Sequence, residues 1–272
     1  MAVERPGWAP EGVNVEIPSP ARMYDALLGG GHNFEVDRQA AAMAVSRVPD
    51  LPNVALSNRA FLRRSVRFLV ANGIRQFLDI GSGIPTVGNV HEVAQQADPE
   101  CRVQYVDIDS VAVAHAQAIL AGNDRAAAIE GDLRTPGVVL GDPRLRRLID
   151  LDEPVGVLLV AVLHLVSDEE QPGRIVATIR DALPPGSYVV ISHLTSAQRP
   201  EDAAQLSGTR AAEQTRVSIF FRSREEIVAL FDGLTLVEPG VVELPMWRPE
   251  SENDVHEQPG RSLGLAGVGR RD

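Results

Sequence analysis

The chain has 272 residues, 44% of them apolar and 23% charged, the composition of an ordinary globular protein of one or two domains. Its 37 acidic residues outnumber 26 basic ones, giving a net charge of −11, whereas a nucleic-acid-binding protein normally carries a basic excess. Every basic residue is arginine and none is lysine, which excludes Schiff-base chemistry and any phosphate loop built on lysine. Cys101 is the only cysteine, so neither an internal disulfide nor a thiolate zinc cluster can form.

Residues 1–20 carry Pro6, Pro10, Pro18 and Pro20 without an apolar period and read as an extended arm. Short helices are expected across 21–43, broken by a loop at Gly29, Gly30 and Gly31, because three consecutive glycines lose too much entropy to sit within a helix. Ser57 is expected to cap a helix through Ala71, with Gly73 just past its end. Strands and helices then alternate. Strands are expected at 76–80, 102–106, 126–130, 155–162 and 188–192, and helices at 89–96, 110–121 (capped by Ser110) and 171–183. This alternation predicts a parallel sheet covered on both faces. Ser223 and Glu226 form a capping box for a helix ending at Gly233. Closing strands are expected at 234–238 and 263–268, with an exposed loop at 248–260. The most apolar stretch, 155–166, contains His164 and is too short for a membrane span of roughly 20 residues. No secretory signal is legible at the N-terminus, so the chain is expected to be soluble and cytoplasmic.

The segment Phe77-Leu-Asp-Ile-Gly-Ser-Gly-Ile-Pro85 carries the most chemistry. An apolar strand runs into Gly81-Ser82-Gly83 before a helix, and glycine there lets backbone amides approach a nucleotide-type ligand closely. Asp107 ends the next strand, where a carboxylate can accept hydrogen bonds from both ribose hydroxyls. Asp109, two residues on, is assigned to helix capping or surface solvation. Gly131-Asp132-Leu133 follows the third strand. Asp132 is placed to receive the exocyclic amine of adenine, with Leu133 against the ring. Each group taken alone is also a common strand-end turn residue. Their succession after three strands in order is the informative feature.

Asp79-x-Gly81-x-Gly83, Asp107 and Gly131-Asp132 resemble the successive motifs of class I S-adenosylmethionine-dependent methyltransferases. The flanking segments Pro20-Ala-Arg-Met-Tyr-Asp-Ala-Leu-Leu-Gly-Gly-Gly-His-Asn-Phe34, Asp37-Arg38, Pro85-Thr-Val-Gly-Asn-Val-His-Glu92 and Val237-Glu-Pro-Gly-Val241 resemble an actinobacterial methyltransferase family formerly treated as a domain of unknown function. The resemblance covers nearly the whole chain. It implies a Rossmann-like α/β fold with seven mostly parallel strands, an antiparallel last strand, helices on both faces and an N-terminal helical extension. It also implies S-adenosyl-L-methionine as cofactor and leaves the acceptor open. Pro85 departs from the family's third loop glycine and, lacking an N–H, cannot donate to a carboxylate.

On that resemblance Asp79 meets the methionine ammonium, and Gly81, Ser82 and Gly83 line the methionine and ribose. Asp107 holds the ribose, Ile108 flanks adenine, Asp132 reads its amine beside Leu133, and Ala161 approaches the methionine through its backbone. Residues 1–56 are read as an N-terminal arm and cofactor lid bearing Tyr24 and Asn33, and 57–272 as the cofactor-binding domain. The alternative is that Tyr24 and Phe34 only anchor the arm. No two of the six histidines have the i, i+4 spacing of a zinc site, and no metal is expected. His164 is either a general base or a structural hydrogen-bonding group, so the catalytic residues stay unassigned. The acidic balance favours a small-molecule methyl acceptor over nucleic acid, with no membrane partner. A catalytically silent S-adenosylmethionine-binding sensor and an NAD-dependent oxidoreductase are the competing functions. The oxidoreductase fingerprint asks for a glycine where Thr86 stands.

Overall fold

The computed structural model describes residues 14–85, 88–207, 212–213, 217–250 and 260–272. Most of the expected proline-rich arm, Thr86 and Val87 of the loop motif, and most of the 248–260 loop lie outside the described residues. Three helices come first, α1 (Pro20–Leu27), α2 (Glu35–Arg47) and α3 (Leu51–Ala71). The alternating region follows as β1 (Gln76–Ile80), α4 (Val90–Ala97), β2 (Arg102–Asp107), α5 (Ser110–Ile119), β3 (Ala126–Glu130), α6 (Pro136–Gly141), α7 (Pro143–Leu148), β4 (Gly156–Val160), α8 (Pro172–Asp181) and β5 (Tyr188–Leu194). It closes with α9 (Pro200–Ser207), α10 (Arg224–Ala229), β6 (Thr235–Leu236), β7 (Val242–Glu243) and β8 (Gly264–Arg270).

The strands form one sheet in the order β3-β2-β1-β4-β5-β8-β6, with β7 also paired to β8. β1 to β5 run parallel, and β8 returns antiparallel to β5 over seven residue pairs. The expected α/β sheet with an antiparallel last strand is therefore present, with an eighth strand, the short β7, added to it. The chain builds outward from β1 to β3, then crosses back to β4. That reversal opens a crevice at the carboxyl ends of β1 and β4, the usual ligand position in such sheets.

Side-chain alternation divides the core between the two faces. Phe77, Val103, Leu158 and Val190 pack under α3, α4 and α5. Leu78, Ile80, Val157, Leu159 and Ile191 pack under the helices of the other face. Each fully buried Leu, Ile or Phe contributes about 1.5–3 kcal/mol relative to exposure. The C-terminal part is pinned to α3: Arg64 Nε donates to Trp247 O at 2.8 Å and Nη2 to Leu244 O at 2.8 Å. Trp247 is fully buried, edge-on to Phe61 and Phe68.

Three local expectations are corrected. α3 begins at Leu51, with proline in its first turn, and Ser57 is a buried residue of its second turn instead of its cap. The 56/57 division thus falls inside one continuous helix. Ser110 is the first residue of α5 and its cap is Asp109, whose Oδ1 accepts from Val111 N at 2.8 Å. β4 stops at Val160, short of the expected Val162, because Ala161 turns left-handed at φ 56°.

Candidate functional site

A cavity of about 400 Å³ opens at the carboxyl ends of the parallel strands, within the usual size range for a small-molecule site. Asp79, Gly81, Ser82, Gly83, Asp107, Ile108, Asp132, Leu133, Ala161 and Tyr24 all line it. Asn33 does not. Its amide nitrogen donates to Asp25 Oδ2 at 2.7 Å and to Gly30 O at 2.8 Å, while its oxygen accepts from Arg38. Asn33 therefore holds the α1–α2 turn together. Gly30 is required there by contact, since a Cβ would overlap the Asp25 carboxylate.

The turn after β1 is shaped by its own backbone bonds. Gly81 N donates to Val106 O at 2.8 Å, and Gly83 N donates to Asp107 Oδ2 at 2.7 Å. Both glycines are left-handed, at φ 74° and 64°, a region costly for other residues. They differ in their surroundings. A Cβ on Gly81 would overlap the Val162 side chain, whereas one on Gly83 would have Ala21 Cβ at 4.0 Å as its nearest neighbour and would enter open space.

Asp107 also accepts from Asp109 N through Oδ1 at 2.8 Å. Each carboxylate oxygen has a second lone pair to offer. Burial raises the Asp107 carboxyl to about 6 against the pull of these amide bonds. Burial likewise raises Asp79 to about 7; the Arg59 guanidinium opposes this rise, and the Asp107 charge adds to it. The Asp79 carboxylate receives no hydrogen bond from the described residues. Asp132 differs again. Burial pushes it up, but four contacts from Arg134 outweigh burial and leave it below the ordinary carboxylate value. Ile108 is 58% exposed at the rim.

Asn58, Arg59, Ser192 and His193, which sequence reasoning passed over, complete the wall around Tyr24 and His164. Tyr24 OH donates to Ala55 O at 3.0 Å and accepts from Asn58 Nδ2 at 2.9 Å. Asn58 Oδ1 accepts from Ser192 Oγ at 2.6 Å, and Ser192 Oγ accepts from Ala161 N at 2.9 Å. This chain of bonds ties α1 and α3 to the ends of β4 and β5. Arg59 reaches Gly88 O and Asn89 Oδ1. His193 Nδ1 donates to Leu194 O at 2.7 Å and its Nε2 accepts from Arg222 at 2.7 Å, so its neutral tautomer is set. His164 lines the cavity beside it, rings edge-on at 5.9 Å. Burial, with the His193 and Arg222 charges adding, lowers His164 to about 3. No sequence signal pointed to Asn58, Ser192 or Arg222, because each acts through neighbours distant in the chain.

No curated protein matches the chain. A protein of Thermobifida fusca described as a candidate methyltransferase is 42% identical over 98% of this chain and 100% of its own, with a TM-score of 0.90. A DUF574 family protein of Streptomyces avermitilis is 34% identical over 95% and 99%, again with a TM-score of 0.90. Human N-acetylserotonin methyltransferase shares the fold alone, at 14% identity and a TM-score of 0.50, over 96% of this chain and 60% of its own. The S-adenosyl methyltransferase family model matches residues 6–272. The chain belongs to that family and is an S-adenosylmethionine-dependent methyltransferase.

Proposed function

We propose that the cavity binds S-adenosyl-L-methionine through the residues at the ends of β1 to β4 and presents it to a small-molecule acceptor. The carrying observation is Asp79, a buried carboxylate that faces the cavity without a hydrogen-bond donor among the described residues. An ammonium group satisfies such a carboxylate. The open space above Gly83 and the remaining lone pairs of Asp107 fit a ribose. Ile108 and Leu133 offer apolar faces to a base, and Asp132 offers an acceptor for its amine. Ala161 lends backbone beside the methionine.

When bound, the cofactor supplies an electrophilic methyl carbon. The chain's own part is to hold both reactants in line and keep water out. Similarity to Thermobifida and Streptomyces proteins supports an actinobacterial source. No helix among the described residues is long and apolar enough to cross a membrane, which supports the cytoplasmic placement.

Calorimetry on the purified chain tests the site. S-adenosylmethionine and S-adenosylhomocysteine should bind in the micromolar range or tighter, and NAD should not. Sulfur-ligand binding that is unaffected by both Asp79→Asn and Asp107→Ala would place the cofactor elsewhere.

A further inference from the structure

The cavity wall is divided by charge. Among the described residues, the charged groups that line it are Arg59, Asp79, Asp107, Asp109, Asp132 and Arg134. All but Arg59 stand at the ends of β1, β2 and β3 or in the loops that follow, and Arg59 interacts with Asp79. The opposite wall, from the helices and the β4–β5 end, is apolar. Met23, Leu27, Leu165, Val217 and Ile219 belong to one packed cluster, and Leu51 continues the wall from a second cluster that also touches Leu27.

Polar groups at the β4–β5 end are almost all engaged within the protein. Tyr24, Asn58 and Ser192 bond one another, and both His193 nitrogens are occupied. His164 differs: its Nδ1 is buried without a hydrogen-bond partner, although the residue lines the cavity. A buried polar atom left in this state costs free energy that a matching ligand group recovers. The Arg222 guanidinium lies behind the histidine pair, bonded to His193, Leu163 O and Val166 O, and its charge is paired with the Asp168 carboxylate at 2.7 Å.

We propose that the acceptor is an uncharged, largely apolar molecule that presents a single hydroxyl group, alcohol or phenol, to the imidazole of His164. The proposal rests on the methyl-transfer reading above and adds the substrate class. The hydroxyl oxygen forms its bond to the methyl carbon as the carbon–sulfur bond breaks. The sulfur keeps that electron pair, and the hydroxyl proton passes to His164 and then to solvent. A protonated ether is a far stronger acid than an imidazolium, so even a strongly depressed histidine accepts the proton as the new bond forms. An amine acceptor, a cation at neutral pH, would find no carboxylate on the apolar wall. A carboxylate acceptor would lose its hydration against Leu51 and Ile219 with no group to replace it.

Calorimetry with three probes of one size, 2-naphthol, 2-naphthoate and 2-naphthylmethylammonium, tests this in the presence of saturating S-adenosylhomocysteine. The naphthol should bind at least tenfold more tightly than either ion. His164→Leu should weaken naphthol binding about tenfold and His164→Gln should restore most of it, with S-adenosylhomocysteine affinity unchanged in both. Ile219→Asp should abolish the preference for the neutral probe. Equal binding of the three, preference for an ion, or no binding of any to the S-adenosylhomocysteine-bound protein would overturn the proposal. Failure of S-adenosylhomocysteine itself to bind would instead overturn the cofactor-site reading.

Discussion

Ser192 donates its hydroxyl proton to Asn58 Oδ1 across 2.6 Å, joining the last parallel strand to the middle of α3 over 134 positions of sequence. The same oxygen accepts from Ala161 N, the residue whose left-handed turn ends β4. One hydroxyl therefore holds the helix, the strand end and the turn in register. Ser192→Ala would leave a buried amide oxygen unpartnered and reduce Ala161 N–H to its longer bond with Ser192 O at 3.3 Å, at a cost of about 1–3 kcal/mol. The expected outcome is a lower urea midpoint with an unchanged slope, and weaker S-adenosylmethionine binding. Unchanged stability in both measurements would show that the relay has no energetic role.

Asp107 and Asp109 should separate binding from stability. Asp107→Ala removes the proposed ribose acceptor and should weaken cofactor binding by about 1.5–3 kcal/mol, the range for hydrogen bonds to charged groups. Asp109→Ala removes the α5 cap and should cost about 0.5–2 kcal/mol of stability with little loss of affinity. Calorimetry and urea unfolding on both variants check this, and equal affinity losses would reverse the assignment.

The raised Asp79 carboxyl gives a pH signature whose sign is set by linkage. With a pKa of about 7 folded against 3.8 as the reference, the native state binds the proton more tightly. Asp79 therefore makes stability fall as pH rises from about 4 to 7. Asp79→Asn removes that trend, so the variant should gain on the parent across this window by up to about 1.4 kcal/mol per pH unit. His164, with a lowered value, acts in the opposite sense: it makes stability fall as pH drops below the ordinary histidine value. If Asp79 meets the ammonium of the cofactor, affinity should weaken as pH falls through about 7. Parallel stability curves for parent and variant between pH 4 and 7 would contradict the shift.

The two glycines of the β1 turn should fail in different ways. Gly81→Ala forces a Cβ into Val162 at a left-handed position, so the fold itself should suffer by more than the ~1–2 kcal/mol of backbone strain alone. Gly83→Ala bears similar strain but points its methyl into open cavity. It should therefore retain more stability and lose more cofactor affinity. Thermal unfolding and calorimetry on the pair distinguish the outcomes.

The N-terminal segment is a fixed wall by its contacts. Buried Asp37 accepts from Ser19 N, Phe34 N and Arg22 Nε, and Arg22 also approaches Asp109 at 3.8 Å. Asp37→Ala leaves Arg22 buried and unpaired from that carboxylate and should cost about 3–5 kcal/mol. Hydrogen exchange across residues 21–38 should be slow in the parent and fast in the variant, and cofactor should slow it further in both. Equal exchange rates in the two proteins would show that Asp37 does not hold the segment.

The alternating core was legible because each of its elements carries a local signal. Val157, Leu158 and Leu159 form a continuous aliphatic run buried on both sheet faces, and Ser223 with Glu226 forms the expected capping box. The strand-end residues of the cavity were legible for the same reason: a glycine turn or a carboxylate after an apolar run has a fixed place in a parallel sheet. The remainder depended on distance. Nothing local marks Ser57 as a buried interior residue while Leu51 starts the helix, since proline in the first turn and a cap at Asp50 compete with a plausible serine cap. Asn33 looked like a cofactor contact from its glycine-rich surroundings, and only the fold shows its amide turned toward Asp25.

α3 carries two unrelated duties on one rod. Leu51, Ala55, Asn58, Arg59 and Leu62 look into the cavity, while Phe61, Arg64 and Phe68 grip the segment around Trp247. An α-helix advances about 100° per residue, so the angle between these two sets is fixed by the count of residues from Asn58 to Arg64. Inserting or deleting one residue there rotates the cavity face and the Trp247 face out of phase, and neither can be restored without displacing the other. The count of residues between Asn58 and Arg64 is therefore a phase constraint that binds the shape of the cavity to the seating of the C-terminal segment.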